Sequence, residues 1–245
     1  MKRLLITLCL GTLLAPGAWA EEDRPDMHFR PFAIEPGDRV EWGQGHLVAG
    51  LDLERRPEPN IQHRFTMPLE ATVGLPAGFV AVLAFDGAAR TLFNDGATSS
   101  QGSRETLLKY AFPEWRGIHF AVMAARARRN NDAIPMDSHG YTVTFDTAWG
   151  DMGFSQSWDR PTPPDNHGGR EIGINLFRLG LGTDGKWGLA GEARHVNAAN
   201  DQRIDHWLFG VARIVGRGVL VDLAVGGESG DAHGRRLTTG VGWFF

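Results

Sequence analysis

Apolar and polar residues alternate over much of this chain, and the alternation is clearest over residues 61–74. Segments 139–149 and 218–228 repeat the pattern, with apolar residues at every second position and mostly polar or small ones between them. A period of two residues predicts β-strands, because successive side chains of a strand point to opposite faces of a sheet. Strong helical periodicity is absent, so the pattern predicts an all-β protein.

About twelve segments of this kind follow one another between clusters of Gly, Pro, Asn and Asp. We predict strands over 46–56, 61–74, 79–89, 103–112, 116–128, 139–149, 151–160, 170–182, 186–196, 203–215, 218–228 and 235–245. Pro68 lies inside the second strand, where it must remove a ladder hydrogen bond or mark a bulge. Two strands are less regular. The pattern does not decide which face of 203–215 is apolar, and the apolar face of 170–182 changes midway.

The connections between these strands alternate in length. Those of the first set are all short: 75–78, 113–115, 150, 183–185 and 216–217. Those of the second set are mostly longer and rich in Asn, Asp, Gly, Ser and Pro: 91–102, 129–138, 161–169, 198–202 and 229–234. Short periplasmic turns and longer outer loops are typical of transmembrane β-barrels. We therefore predict an antiparallel barrel of about twelve strands in the bacterial outer membrane, with both termini in the periplasm.

The tryptophans fall near the ends of the predicted strands rather than in their middle. Trp158 and Trp207 lie towards the longer loops, and five others lie at the end with the short turns: Trp42, Trp115, Trp149, Trp187 and Trp243. Transmembrane barrels carry girdles of aromatic residues at both membrane interfaces, whereas a soluble protein more often buries its tryptophans in the core. The placement therefore supports the membrane barrel.

The last strand ends on an aromatic carboxy-terminus. Val241, Trp243 and Phe245 share one face, the intervening residues are mostly small or polar, and Phe244 is the exception. Taken alone, this pattern also fits the terminal strand of a soluble β-protein. Bacterial outer-membrane barrels commonly end in this way, and the resemblance implies that Val241, Trp243 and Phe245 form a signal for the barrel-assembly machinery.

Residues 1–20 are predicted to be a signal peptide. Lys2 and Arg3 precede an apolar run over 4–14, and Ala-Trp-Ala at 18–20 fits the small-x-small cleavage pattern. The run is too short for a transmembrane helix, which needs about 20 apolar residues. Cys9, the only cysteine, lies within it. The mature chain is therefore expected to have no disulfide and no thiolate metal site.

The mature chain is mildly acidic. The sequence has 25 Lys and Arg residues and 29 Asp and Glu residues, and removal of the two basic residues of the signal peptide leaves 23 against 29, or about −6. This balance argues against nucleic acid as a partner. Residues 21–45 are rich in proline and charge, and they either hang in the periplasm or fold into the lumen as a plug. Residues 46–245 are predicted to form the barrel.

If the apolar face of each strand meets lipid, then the other face lines the lumen. Ten candidate lumen-lining residues follow from this alternation: Asp52, Arg64, Glu70, Glu105, Lys109, His119, Asp146, Glu192, Arg194 and Asp222. His46, Glu54 and Arg236 fall on the same face. Buried charges need partners or water, so these residues either form structural ion pairs across the wall or line a wet channel. A barrel of about twelve strands suits a narrow pore or an internal cavity better than wide diffusion.

The first half of the chain resembles a family of outer-membrane transporters named for the meta-pathway of phenol degradation. The resemblance rests on Arg-Pro-Phe at 30–32, Glu-Pro-Gly at 35–37, Gly-His-Leu at 45–47, the hairpin sequence LEATVGLP at 69–76 and Leu-Leu-Lys-Tyr at 107–110. Segments 101–104 and 125–128 depart from the family pattern. The resemblance implies passage of small molecules, including aromatic or hydrophobic ones, and it assigns no functional residue.

Two other functions stay open at this stage. A closed structural barrel could contact outside partners through its loops, and an outer-membrane lipid hydrolase would need a Ser–His pair. Ser157, His139, His63 and His167 are available, but none lies in a recognised motif. We expect no enzyme, catalytic residue, cofactor or metal ion. The expected partners are outer-membrane lipid and lipopolysaccharide, the barrel-assembly machinery and a small-molecule solute.

Overall fold

The structure is a computed structural model. It describes residues 37, 39–55, 61–93, 95–100, 102–129, 135–161, 168–197, 202–231 and 233–245. The predicted signal peptide and residues 21–36 therefore lie outside the described residues. In the described part of the chain, no helix has the length and apolar character needed to cross a membrane.

The described chain is built almost entirely of strands. In order they are β1 (Gly45–Arg55), β2 (Ile61–Gly74), β3 (Phe79–Phe93), β4 (Thr98–Ser99), β5 (Ser103–Ala111), β6 (Ile118–Arg129), β7 (Met136–Thr147), β8 (Gly150–Pro161), β9 (Arg170–Leu181), β10 (Trp187–Asn197), β11 (Arg203–Gly216), β12 (Val219–Gly230) and β13 (Gly234–Phe244). The two-residue β4 pairs only with β3. The other twelve agree with the predicted strands to within four residues at each end.

The twelve long strands close into an antiparallel barrel. Each pairs with its two neighbours along the chain, and β1 also pairs with β13 from His46↔Phe244 to Arg55↔Arg235. The prediction of a twelve-stranded antiparallel barrel is therefore confirmed. We call the end at which β1 begins and β13 finishes the terminal rim, and the opposite end the loop rim.

The two faces of the barrel wall have opposite character. Large apolar side chains such as Leu51, Leu83 and Leu223 point outward and are 43–49% exposed. Polar side chains such as Thr142 and Thr238 point inward and are completely buried. A soluble protein has the reverse distribution, whereas a barrel in lipid places an apolar band on its outer face.

The turns at the terminal rim are short, as predicted, but two of them lie slightly earlier or later than expected. Gly150 belongs to β8 and Gly216 to β11, and the turns there consist of residues 148–149 and 217–218. Gly218 has φ = +66°, and a Cβ at this position would overlap with the backbone oxygen of Phe244. Only glycine fits such a turn without strain.

One core cluster of inward apolar residues explains the irregular sequence patterns of both β9 and β11. The register of β9 with β10 is continuous from Arg170 to Leu179, so the predicted change of face within β9 is wrong. Its apolar residues lie on both faces because Phe177 and Leu179 point inward to a core cluster. The same cluster receives Leu208 and Ala212 of β11, which is why neither face of that strand reads as polar.

Pro68 coincides with a break in the β2–β3 ladder. The register shifts between Thr66 and Pro68, where Thr66 pairs with Ala89 and Pro68 with Asp86. Proline has no backbone N–H to donate, so the expected bulge or lost ladder bond is present. Because of this shift, the inward residues of β3 are even-numbered up to Asp86 and odd-numbered from Ala89. The inward residues of β2 are even-numbered on both sides of the shift.

Candidate lumen site

The structure places all ten candidate lumen residues on the inner face of the wall. Asp52, Lys109, Glu192 and Asp222 are each less than 9% exposed, and the others share the inward positions of their strands with buried neighbours. His46, Glu54 and Arg236 lie on the same face. Their contact with a passing solute stays a prediction.

Six further titratable residues line the inner face and were not predicted. They are Asp86, Asp151, Asp159, Glu171, His206 and Glu228. The signal for Asp159 was present in the sequence, because Met152, Phe154 and Trp158 mark the outward positions of β8. Glu171 was obscured by the apolar residues on both faces of β9.

One ion-pair cluster joins β9 and β10 on the inner face. Arg194 Nη1 donates to Glu171 Oε1 at 3.2 Å, and Arg194 Nε lies 2.8 Å from Glu192 Oε1. The side chain of Arg194 is 14% exposed and that of Glu192 is 3% exposed. A charge buried to this degree is stable only with a charged or hydrogen-bonded partner, so the two carboxylates and the guanidinium act as one unit.

A second cluster lies where the barrel closes between β1 and β13. Arg236 Nη2 donates to Asp52 Oδ2 at 2.6 Å. Glu54 is opposite Arg236 on one side and opposite Arg64 on the other. Acidic and basic residues therefore alternate across three neighbouring strands, and like charges are kept apart.

Nearer the terminal rim, histidines contact inward carboxylates. His46 Nε2 lies 3.4 Å from Glu70 Oε1, which also accepts a hydrogen bond from the hydroxyl of Thr72. His119 Nε2 lies 3.1 Å from Asp146 Oδ1. Each contact joins neighbouring strands of the wall.

Carboxylates dominate the charge of the described inner face. The inward acidic residues are Asp52, Glu54, Glu70, Asp86, Glu105, Asp146, Asp151, Asp159, Glu171, Glu192, Asp222 and Glu228. The inward Arg and Lys residues are Arg64, Lys109, Arg194 and Arg236. Twelve acids against four permanent cations produce a negative potential, and a low-dielectric wall focuses that potential along the lumen.

Two cavities open inside the half of the barrel next to the loop rim. The larger one, of about 370 Å³, has an apolar side that includes Leu107, Met123 and Met136, and a charged side that includes Asp159 and Glu171. The other, of about 210 Å³, is bordered by Glu54, Arg194, His206, Glu228 and Arg236. The first cavity therefore offers apolar and acidic surface to one occupant.

The half next to the terminal rim is more apolar inside. One core cluster consists of Ala190, Leu208, Ala212, Leu220 and Ala224, with Phe177, Leu179, Ile214 and Phe244 packed on it. A second cluster, closer to the middle of the barrel, consists of Val80, Val82 and Leu107, with Val40, Met123 and Ala125 packed on it. Four of these residues, Val82, Leu107, Met123 and Ala125, also line the larger cavity. Side chains of this size fill part of the barrel cross-section and reduce the space for water.

The segment before β1 lies against the inner wall. The backbone N–H of Gly37 donates to Thr144 Oγ1 of β7 at 2.8 Å, and Val40 packs on the cluster of β3 and β5. A Cβ at Gly37 would lie 2.6 Å from the backbone oxygen of His119, so the contact requires glycine. Gln44 contacts Gly74 of β2, Val40 contacts β3 and β5, and Gly37 contacts β7, five positions around the barrel from β1. Gly37 and residues 39–44 therefore follow the inner wall near the terminal rim.

The candidate hydrolase residues do not meet. Ser157 points into the lumen, whereas His139 points outward and stacks on Trp158 with ring centroids 5.6 Å apart. His63 lies on the outward face of β2, and His167 lies outside the described residues. Among the residues that the structure describes, no group of three or more His, Asp or Glu side chains could hold a metal ion.

The carboxy-terminal strand shows its alternation clearly. Val241 and Trp243 point outward and are 43% and 52% exposed, and the ring of Trp243 lies 5.3 Å from that of Phe245. Phe244 points inward, with its ring centroid 5.4 Å from that of His46. The residue that broke the sequence pattern is therefore part of the apolar packing inside the terminal rim.

Comparisons with known proteins support the fold. No family model matches the chain, and no curated protein matches it. Among solved structures, an outer-membrane channel from Pseudomonas putida F1 is similar with a TM-score of 0.64 and 10% identity, over 86% of this chain and 100% of that one. The KdgM porin in complex with disordered oligogalacturonate has a TM-score of 0.57 and 10% identity, over 81% and 99%.

A third similar structure has a different role. The translocator domain of the autotransporter NalP from Neisseria meningitidis has a TM-score of 0.55 and 10% identity, over 82% of this chain and 88% of that one. At this level of identity the likeness shows the fold alone. The chain has the fold of outer-membrane β-barrels, and its function must be argued from its own lumen.

Proposed function

We propose that this chain is a narrow outer-membrane channel for small molecules, with the terminal rim in the periplasm and the loop rim outside. The observation that carries the proposal is the polar, charged inner face of a closed barrel whose outer face is apolar. A purely structural barrel has no need for twelve inward carboxylates, each of which costs free energy to bury unless it is paired or hydrated. Cavities next to the clusters are consistent with a hydrated lumen.

The excess of inward carboxylates favours cationic solutes. An acidic channel concentrates cations and repels anions by Coulomb interaction. The apolar side of the larger cavity, with Leu107, Met123 and Met136, would also accept an aromatic or aliphatic group. The apolar side of the cavity supports passage of small aromatic or hydrophobic molecules, which the resemblance to the phenol meta-pathway transporters implies. Because the cavity suits these solutes, we also propose that the chain belongs to that family.

Gly37 and residues 39–44 narrow the passage near the terminal rim in this proposal. Their contacts with Thr144 and with the cluster around Val80 support the interpretation of the 21–45 segment as a lumen plug. The apolar packing at the same level favours a second candidate, a closed structural barrel. The separation of Ser157 from His139 argues against a hydrolase, so we infer that the chain is not an enzyme.

The outward surface is proposed to contact outer-membrane lipid, and the outward Val241 and Trp243 with Phe245 are proposed to be read by the barrel-assembly machinery. This location predicts that the purified mature chain needs detergent and shows a heat-modifiable shift on a gel. A chain that stays soluble without detergent would contradict the membrane location.

Single-channel recording in a planar bilayer tests the channel. We expect discrete conductance steps and a reversal potential, under a KCl gradient, that indicates preference for K⁺. The double variant E105Q/D159N removes two inward carboxylates and should lower the permeability ratio of K⁺ to Cl⁻ by about twofold or more, because selectivity follows the lumen potential. D137N/D205N is the matched control, since it also removes two carboxylates and both acids lie on the outward face of the barrel.

The possible outcomes separate the candidates. An unchanged ratio in E105Q/D159N would contradict the acidic-lumen explanation while leaving the channel intact. Silence from a correctly folded sample would instead support the closed structural barrel.

A further inference from the structure

Nine arginines form a belt on the outer face of the barrel near the loop rim. They are Arg55, Arg90, Arg104, Arg126, Arg128, Arg160, Arg170, Arg203 and Arg235, and each lies within three residues of the loop-rim end of its strand. All nine are exposed. We infer that this arginine belt binds the phosphate groups of a phosphorylated glycolipid in the outer leaflet of the membrane.

The outward direction of the belt follows from strand alternation. Four dipeptides near the loop rim join an acid to an arginine: 54–55, 104–105, 159–160 and 170–171. Successive side chains of a strand point to opposite faces. In each dipeptide the carboxylate therefore points into the lumen and the guanidinium points to the surroundings of the barrel.

The belt lies at the edge of the apolar band. Leu53 and Leu237 are outward, 47% and 45% exposed, and directly opposite each other, and Arg55 and Arg235 are the next outward pair on the same two strands. Two residues along a strand correspond to about 7 Å. Trp158 lies two residues before Arg160, on the same face of β8, and is opposite Arg170. Guanidinium groups at this height meet lipid headgroups rather than acyl chains.

Two cross-strand pairs in the belt bring like charges together. Arg55 lies directly opposite Arg235, and Arg104 lies directly opposite Arg128. Like charges in such positions are destabilising. An anion between the two guanidinium groups would remove the repulsion, and phosphate suits arginine because two N–H groups can donate to two of its oxygens at once.

The outward carboxylates near the loop rim neutralise only a small part of the belt. Asp137 accepts hydrogen bonds from Arg126 Nε and Nη2 at 2.6 and 3.0 Å and lies opposite Arg160. Asp205 contacts His195 at 2.7 Å. In the described part of the chain, nine belt arginines face the outward acids Asp137 and Asp205 and the exposed loop acids Asp95 and Asp231, the last of which accepts a hydrogen bond from the backbone N–H of Arg203. An excess of arginine therefore remains on the side of the barrel where, in the orientation proposed above, a phosphorylated leaflet is expected.

The terminal rim differs and supplies a control. Apart from Arg39 of the segment before β1, its described exposed or outward arginines are Arg116, Arg178, Arg213 and Arg217. Two of them lie over tryptophan rings, Arg116 at 5.6 Å from the centroid of Trp115 and Arg213 at 5.0 Å from that of Trp187. These guanidinium groups have a partner within the protein, and none of the four is directly opposite another in the ladder.

The test compares the thermal unfolding midpoint of the full mature chain in four kinds of vesicle. They contain phosphatidylcholine alone, or with lipid A carrying both phosphates, with dephosphorylated lipid A, or with phosphatidylglycerol at equal charge. We expect phosphorylated lipid A to raise the midpoint, as a ligand of the folded state does. Neither dephosphorylated lipid A nor phosphatidylglycerol should match it.

Two variants with equal changes in charge locate the site. R55Q/R104Q/R128Q/R235Q should lose more than half of the increase, whereas R116Q/R178Q/R213Q/R217Q should keep it. Equal losses in both variants, or an equal increase with dephosphorylated lipid A or with phosphatidylglycerol in the wild-type chain, would overturn the inference. The wild-type series decides the question by itself if the first variant does not fold.

Discussion

Next to the loop rim, the inner and outer faces of the barrel carry opposite charge, although neighbouring residues of the same strands form both faces. At positions 54–55, 104–105, 159–160 and 170–171 one residue of each pair points inward and is acidic, and the other points outward and is basic. A net charge summed over the chain hides this separation. In a barrel, the face of each charge matters more than the total, because the wall is one residue thick.

The largest expected change in stability comes from removing the cation of the inner-face cluster, Arg194. Arg194→Met leaves Glu171 and Glu192 without their shared cation, and the free energy of unfolding should fall by about 3 kcal/mol, as for one partner removed from a buried ion pair. Urea unfolding in phosphatidylcholine vesicles measures the change. The matched variant R194M/E171Q/E192Q removes all three charges and should recover most of the loss. An equal loss in both variants would show that packing, rather than charge, explains the effect.

The next effect concerns the outer face. Leu223→Arg places a cation in the middle of the outward apolar band and should lower the free energy of unfolding in vesicles by about 2 kcal/mol. Leu237→Arg makes the same change near the loop rim, where the cost should be about 0–1 kcal/mol. Unfolding by urea distinguishes the two variants. Equal costs would contradict the assignment of Leu223 to the lipid-facing band.

A smaller effect is expected where the inner face contacts Gly37. Gly37→Ala places a methyl group against the backbone of His119, and the displaced segment should leave a wider passage with higher single-channel conductance. The expected cost in packing is about 1 kcal/mol or more. Gly191→Ala is the control, because a Cβ there meets nothing within 4 Å. Unchanged conductance in Gly37→Ala would mean that the segment does not limit passage.

The smallest effect probes the like-charge pairs of the belt. Arg55→Glu replaces repulsion from Arg235 by attraction, and in vesicles of neutral phosphatidylcholine it should stabilise the fold by about 0.5 kcal/mol. Arg90→Glu changes the same charge opposite Phe65 rather than opposite an arginine, so it lacks this gain. Equal values for the two variants would show that the Arg55–Arg235 pair carries no repulsion.

The sequence contains further indications of which residues point inward, beyond the alternation of apolar and polar residues. Asp159 and Glu171 are not among the predicted inward residues, yet each is adjacent in sequence to an outward arginine. Leu208, Phe177 and Phe244 obscured the pattern for a physical reason. They are apolar residues on the inward face, and they pack together inside the terminal rim. An apolar residue in a barrel strand therefore does not by itself mark the lipid side.

Local alternation and turn residues by themselves determined the all-β class, the twelve strands, their lengths and the inward direction of residues such as Asp52 and Glu70. These properties depend on neighbours in sequence, because the two-residue period of a strand assigns a face to every side chain. Only the tertiary structure decided which charges meet across strands, as Arg194 meets Glu171 and Arg236 meets Asp52. It also decided that Gly37 reaches Thr144 of β7, because a contact between residues 107 positions apart depends on the folding of the whole barrel.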